Sequence, residues 1–192
     1  MNPAFPLAAA AALALAAIPE ARADPRQHPT VEYSADYTSD TEGEPTGTGK
    51  IYYTKDRIRI DVNQAGTSVV MIIDKIKKQV AYLHPATRTY KPEPLEDPDI
   101  FNPYAGGGWQ ITKAGEDTIG GVPATKWQVK PAEKDLFQGF VWTTKENIQI
   151  KTDGVTTDEG KTSKNVFELK NLKIGPTDAA VFEIPPGYKR EE

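Results

Sequence analysis

Few residues in this chain of 192 could do acid–base or nucleophilic chemistry. There is no cysteine, which excludes a thiol nucleophile, a thiolate zinc site and a disulfide. There are two histidines, and His28 lies in a polar, proline-containing segment near the N-terminus. His84 ends a strand-like segment beside Pro85, and no G-x-S-x-G turn presents a serine to it. We therefore predict no catalytic residues and no enzymatic activity.

Two polar loops could hold an ion, but neither has the required spacing. The acidic residues of segment 93–99 do not follow the pattern of an EF-hand calcium loop. Segment 153–162 differs from a phosphate loop because five residues rather than four separate Gly154 from Gly160, and no helix is expected to follow. We interpret both as solvated loops and predict no metal and no cofactor.

Aromatic side chains form the remaining candidate site, which would bind a ligand rather than catalyse a reaction. Such rings bury large apolar areas, and a sheet that curves without closing tightly can leave room for a ligand. We predict that the following residues line the inside of the curve or close over it: Trp109, Trp127, Phe140, Trp142, Phe167, Phe101 and Tyr104. The alternative is that the rings fill an ordinary packed core.

The clearest pattern for a sheet lies in segment 49–74. Side chains alternate there with a period of two, which indicates a strand with one buried and one wet face. The predicted buried face holds Tyr52, Ile58, Ile60 and Val62, and the wet face holds Arg57, Arg59 and Asp61. Segment 69–73 (VVMII) is apolar on both faces, which places it nearer the middle of the sheet.

About ten short strands, separated by turns rich in glycine and proline, predict an all-β fold with a single domain over residues 31–188. Segment 92–108 interrupts the pattern, since its prolines cannot donate to a central ladder. It holds at most a short helix, and it is either a plug at one end of the sheet or a functional lid. A change of phase along segment 166–174 predicts a β-bulge near Lys170–Asn171.

The N-terminal segment indicates an exported protein. Residues 1–23 match a cleavable signal peptide, with an apolar run too short to span a bilayer and cleavage predicted before Asp24. No second apolar span follows, so we predict no transmembrane anchor. Residues 24–30 are expected to be a disordered leader and 189–192 a tail. The net charge of -4 argues against binding to nucleic acid.

Three segments resemble one family when they are taken in order: 49–60 (GKIYYTKDRIRI), 119–127 (IGGVPATKW), and 167–188, which begins FELKNLKIG and ends FEIPPGY. Together they are similar to an uncharacterised family of exported bacterial proteins related to the LolA/LolB-like carriers of outer-membrane lipoproteins. The resemblance covers about residues 33–188. It implies a strongly curved antiparallel sheet that forms an incomplete barrel, with acyl chains held on the concave face in related members.

Two functions follow as expectations. The first is a periplasmic, non-enzymatic binding module whose curved sheet shelters a lipid or the acyl part of a lipoprotein. The alternative is an envelope protein-interaction or sensing domain with a self-filled interior, which would add a partner strand at an open sheet edge. A hollow interior of roughly 300 Å³ or more, lined by apolar groups, favours the first.

Overall fold

The computed structural model describes residues 23–97, 99, 102–132, 137–158 and 160–191, and within these the chain is a single sheet. Twelve strands follow one another: β1 (Tyr33–Thr41), β2 (Gly47–Tyr53), β3 (Arg57–Gln64), β4 (Thr67–Asp74), β5 (Gln79–His84), β6 (Thr89–Pro94), β7 (Trp109–Ile119), β8 (Val122–Pro131), β9 (Phe137–Thr143), β10 (Gln149–Asp158), β11 (Lys161–Ile174) and β12 (Lys189–Arg190). Residues 1–22 of the predicted signal peptide, 1–23, lie outside the described residues.

The strand order is β12-β6-β5-β4-β3-β2-β1-β11-β10-β9-β8-β7, so the sheet has two ends and does not close. Consecutive hairpins build β1–β6 and β7–β11, and the pairing of β1 with β11 joins these two wings. Every pairing is antiparallel except that of β12 with β6. The predicted all-β fold with an open antiparallel sheet is confirmed.

The prolines of β6 lie where a sheet tolerates them. Pro92 and Pro94 pair with β5 on one side, while β12 reaches only Thr89 and Tyr90 on the other. A proline therefore removes no ladder bond between two central strands. The predicted tail takes part in this edge, since Lys189 and Arg190 form β12.

Strands β3 and β4 confirm most of the predicted alternation. Ile58 and Ile60 are 2% and 9% exposed and face the core, whereas Arg59 and Asp61 lie on the other face and are joined by an ion pair of 2.7 Å. Tyr52 was assigned to the wrong face, because it pairs with Arg59 rather than with an isoleucine. The β2–β3 turn pairs odd-numbered residues of β2 with even-numbered residues of β3. Residues on one face of the sheet are therefore odd-numbered in β2 and even-numbered in β3.

A β-bulge and a close backbone approach mark the bend of the sheet. The register of β1 against β11 shifts between Ser34 and Asp36, and Asn171 has a positive φ of 52°, which confirms the predicted bulge. At Gly49, an added Cβ would lie 1.7 Å from the Asp61 carbonyl oxygen and 2.8 Å from the Tyr37 ring. Only glycine fits this point, where β2 and β3 approach beneath an aromatic ring.

The C-terminal segment covers the convex face of the first wing. A single 3-10 turn, Ala179–Phe182, places Phe182 against Val70 and Ile72 of β4, and Arg59 donates to the Val181 carbonyl oxygen at 2.9 Å. This cover explains why both faces of β4 are apolar. Asp178 caps the turn by accepting from the Ala180 backbone N–H.

The N-terminal segment 24–30 is bonded to the second wing instead of forming a disordered leader. Asn147 Oδ1 accepts from the backbone N–H of Asp24 at 3.0 Å, and the Thr30 N–H donates to the Glu146 carbonyl oxygen at 3.0 Å. Asn147 is 7% exposed. The polar residues that suggested disorder here satisfy backbone groups near the sheet. Within the described residues, no helix has the length and apolarity that a membrane crossing requires.

Candidate functional site

A cavity of about 620 Å³ lies on the concave face of the sheet. Strands β1–β4 and β10–β11 form its floor and walls, while segments 27–29 and 102–104 contribute to one end. Its size is typical of a small-molecule site. Apolar and aromatic side chains dominate the lining: Tyr33, Tyr37, Ile51, Tyr53, Ile58, Ile60, Val62, Met71, Tyr104, Phe167 and Leu169.

Strand periodicity brings this lining together. Alternate residues of β1, from Tyr33 to Thr41, face the cavity, and the residues paired with them on β2 and β11 face the same way. Tyr33 stacks on its cross-strand partner Tyr53 with 5.2 Å between ring centroids. The result is an elongated trough that runs along the strands.

Three buried tyrosines distinguish this trough from a purely hydrocarbon pocket. Tyr33, Tyr37 and Tyr53 are 8%, 8% and 6% exposed. Burial raises the pKa of each phenol, so the hydroxyls remain protonated donors. Among the described residues, no group forms a hydrogen bond with these hydroxyls. No side-chain oxygen there is both fully buried and without a hydrogen-bond partner, so the three hydroxyl oxygens must be accessible. The hydroxyls therefore open onto the cavity.

Polar contacts close the end of the trough where β1 begins. Asn102 is 8% exposed and donates from Nδ2 to the Arg26 carbonyl oxygen at 3.3 Å, which ties the loop to the N-terminal segment. His28 Nε2 lies 2.9 Å from an Asp99 carboxylate oxygen and adds a second tie. The loop that follows β6 therefore lies across this end of the trough, and Tyr104 inserts beneath it.

Charged side chains stand at both ends of the trough. Lys75, at the end of β4, lines the cavity near Tyr33 and Tyr53. Its neighbour Asp74 is 3.6 Å from both Arg57 and Lys77. Glu44 lines the opposite end. At the tyrosine end the charge of Asp56 adds to burial in raising the pKa of Tyr53, so this end holds charges of both signs.

Of the predicted aromatic residues, three form a packed cluster beside the trough. Tyr104 is 3% exposed and meets Trp109 edge to face, with 5.0 Å between ring centroids. The indole N–H groups are satisfied, since Trp109 donates to the Pro103 carbonyl oxygen at 2.8 Å and Trp127 to Thr143 Oγ1 at 2.9 Å. Tyr104 reaches the cavity, whereas the two indoles support the loop above it.

Phe140 and Trp142 were predicted on the inside of the curve, and the structure contradicts this placement. Lys126 Nζ lies 4.1 Å from the Phe140 ring centroid and 4.9 Å from that of Trp142, on the convex face. Phe140 pairs with Asp153 and Trp142 with Lys151, whereas Thr152, which lies between those two partners and lines the cavity, pairs with Val141. The alternation of side chains along β9 therefore places both rings on the convex face.

Phe167 is the other predicted residue that lines the trough, and it stacks on Tyr37 with 5.6 Å between ring centroids. Phe101 lies outside the described residues, and its role stays a prediction. Sequence reasoning missed Tyr33, Tyr37 and Tyr53, although their alternation was visible in the strand pattern. The predicted lining consisted of tryptophan and phenylalanine side chains and, apart from Tyr104, contained no tyrosine.

The arrangement is suited to binding. No group of three or more metal-ligating side chains meets within the described ranges. His84 ends β5 opposite Thr89, away from the trough, and Glu93 is paired with Lys91 at 2.7 Å. The chemistry the trough offers is apolar contact along its length and neutral hydrogen-bond donors at one end.

The sheet has the fold of several solved proteins, although no family model and no curated protein matches the sequence. An uncharacterized conserved protein from Thermus thermophilus matches with a TM-score of 0.60 and 14% identity, over 84% of this chain and 90% of that chain. The Pseudomonas aeruginosa MucA/MucB complex contains a match with a TM-score of 0.55 and 11% identity, over 86% of this chain and 58% of that chain.

A putative outer membrane lipoprotein-sorting protein domain from Vibrio parahaemolyticus also matches, at 11% identity over 82% of this chain and 91% of that chain, but its TM-score of 0.38 is too low to carry an argument. This chain spans less than two thirds of the matched chain of the MucA/MucB complex. At such identities the likeness establishes the fold alone. The open antiparallel sheet implied by the sequence resemblance is the fold that this chain shares with the Thermus thermophilus protein and the matched chain of the MucA/MucB complex.

Proposed function

We propose that this protein is an exported, non-enzymatic binding module that shelters an apolar ligand, the acyl chain of a lipid or lipoprotein, on the concave face of its sheet. The observation that carries the proposal is the cavity of about 620 Å³, which is about twice the size expected for the smallest ligand sites. Its aliphatic and aromatic lining favours a hydrocarbon chain over a polar solute.

Burial of the chain would supply the affinity. Each methylene group that leaves water contributes ~0.8 kcal/mol, from which the loss of ligand freedom is subtracted. The aliphatic side chains Ile60, Val62 and Met71 line the trough. A chain that fills the trough therefore removes apolar surface of both partners from water.

Export to the periplasm is part of the proposal and is supported by the signal-peptide pattern of residues 1–23. A carrier between membranes needs a soluble body and a trough that shields the chain in transit. The open sheet, with segment 102–104 at one end of its trough, is consistent with such a body.

A protein partner is the second candidate. The name of the MucA/MucB complex records that a protein of this fold assembles with another. Strand β7 pairs only with β8 in the described part of the chain, so its 11 residues offer an open edge. However, a bulge between Lys113 and Gly115 and the charged residues Glu116 and Asp117 protect this edge. A self-filled interior, which the alternative expected, disagrees with the cavity.

The test is the binding of the fluorescent fatty acid cis-parinaric acid to the mature protein. Val62 lines the trough, so Val62→Trp places an indole ring in the path of the chain. Val155 is 36% exposed and lies on the opposite face of the sheet, so Val155→Trp is a control with the same change of side chain. We expect wild type and Val155→Trp to bind alike and Val62→Trp to bind at least tenfold more weakly. Equal binding by both variants would place the ligand elsewhere, and no binding by wild type would refute the proposed function.

A further inference from the structure

The N-terminal segment 24–30 borders the trough, although its own sequence does little to hold it there. The segment is polar, contains two prolines and belongs to no strand. Its residues 27–29 nevertheless line the cavity. A segment without ladder hydrogen bonds stays docked only through specific contacts, so its docking is a local equilibrium of its own.

On one side, the segment is tied to the turn between β9 and β10. Asn147 Oδ1 accepts from the Asp24 backbone N–H at 3.0 Å, and Asn147 Nδ2 donates to Gln27 Oε1 at 3.4 Å. The Thr30 N–H donates to the Glu146 carbonyl oxygen at 3.0 Å. Asn147 is 7% exposed, so undocking of the segment would deprive a nearly buried amide of these partners.

On the other side, the segment meets the loop between β6 and β7. Asn102 donates from Nδ2 to the Arg26 carbonyl oxygen at 3.3 Å, and His28 Nε2 lies 2.9 Å from an Asp99 carboxylate oxygen. Pro25 is the one buried residue of the segment. The net contribution of a hydrogen bond is of the same order as the entropy cost of fixing one residue. Docking therefore has a small net free energy, and an added contact shifts it.

Resting on the proposed function, we propose that segment 24–30 is a clasp coupled to the ligand: an acyl ligand in the trough strengthens docking of the segment, and docking strengthens binding of the ligand. A ligand at this end contacts Gln27, His28 and Pro29 only while the segment is docked. The docked state therefore has the higher affinity, and the ligand shifts the equilibrium by its differential affinity for the two states. By linkage the two effects are equal in size. Undocking lowers the affinity by the same factor, which gives a carrier a way to release its ligand.

Amide hydrogen exchange tests the effect of the ligand on the clasp. The mature protein is compared alone and saturated with palmitic acid. We expect exchange in segment 24–30 to be at least about fivefold slower with the ligand, which is the lower end of typical coupling factors. The 3-10 turn Ala179–Phe182 is the internal control, because it packs on the convex face and should exchange at the same rate in both samples.

A shortened chain that begins at Gln27 tests the effect of the clasp on the ligand. It lacks the Asp24 N–H and the Arg26 carbonyl oxygen, which contact Asn147 and Asn102, but it keeps residues 27–29 of the cavity lining. We expect it to bind cis-parinaric acid more weakly than wild type, by about the factor by which palmitic acid slows exchange. A chain shortened by two residues at the C-terminus, beside the edge strand β12, is the control and should bind like wild type.

The outcomes separate the two proposals. If the wild type binds neither palmitic acid nor cis-parinaric acid, the proposed function fails. If it binds them but exchange in segment 24–30 is unchanged, or if the chain that begins at Gln27 binds as tightly as wild type, the trough shelters the ligand but the clasp is overturned. If that shortened chain fails to fold, the exchange comparison on wild type decides the matter.

Discussion

The curvature of the sheet can be tested at a single atom, the missing Cβ of Gly49. In Gly49→Ala this atom would lie 1.7 Å from the Asp61 carbonyl oxygen and 2.8 Å from the Tyr37 ring. A carbon–oxygen contact normally needs ~3.3 Å, so β2 and β3 would have to separate by about 1.6 Å. Overpacking of this kind costs ~1–3 kcal/mol, and the loss of about two ladder hydrogen bonds adds ~1 kcal/mol each.

The expected loss is therefore about 3–5 kcal/mol in the free energy of unfolding. For a domain of this size that lowers the melting temperature by about 6–20 °C, at ~2–4 °C per kcal/mol. Urea titration followed by circular dichroism measures it directly.

Gly47→Ala is the matched control on the same strand. Its added Cβ would meet the Ser39 carbonyl oxygen at 3.6 Å, an ordinary contact. The alanine also reduces the freedom of the unfolded chain, so we expect a change between zero and a stabilisation of ~1 kcal/mol. Similar stabilities for Gly49→Ala and Gly47→Ala would refute the claim that a close approach of β2 and β3 shapes the concave face.

Three further predictions concern the ends of the chain. Asn147→Gly keeps the positive φ of 63° but removes the side chain that accepts a hydrogen bond from the Asp24 N–H. Amide hydrogen exchange in segment 24–30 should therefore be about tenfold faster. Unchanged protection would contradict the assigned contact. A hydrogen bond from Arg26 lowers the pKa of Asp24, so this contact stabilises the segment above pH 3.8, the ordinary pKa of the carboxyl group, and the effect is lost as pH falls through the lower pKa of the folded state. Arg26→Gln should raise the pKa of Asp24 in an NMR titration. An unshifted pKa would exclude the pair. Phe182 is 5% exposed, so Phe182→Ala should lower the free energy of unfolding, measured in urea, by ~3–5 kcal/mol. Ile184 is 37% exposed, so Ile184→Ala should lower it by less than ~1 kcal/mol. Equal losses would mean that Phe182 does not hold the C-terminal segment.

Local sequence patterns were sufficient to predict the sheet and its irregularity. The alternation of Ile58, Ile60 and Val62 depends only on the period of a strand, and the structure confirms it. The phase change in β11 predicted the bulge at Asn171 for the same reason. These inferences succeed because they use neighbouring residues on one strand.

Inferences that cross a turn or depend on packing were less successful. The face of Tyr52 depends on how many residues the β2–β3 turn contains, and the face of Trp142 depends on the register of β9 against β10. The cover of β4 by Phe182 joins residues more than one hundred positions apart. Composition cannot supply such contacts, because each is fixed by the register and curvature of the whole sheet.

Native mass spectrometry of the mature protein, recovered from the cell envelope without detergent, tests the central claim most directly. The account predicts a population that carries the mass of one acyl compound, which is lost in Val62→Trp and kept in Val155→Trp. A wild-type protein that is entirely unliganded, and that also takes up no palmitic acid added in excess, would contradict it.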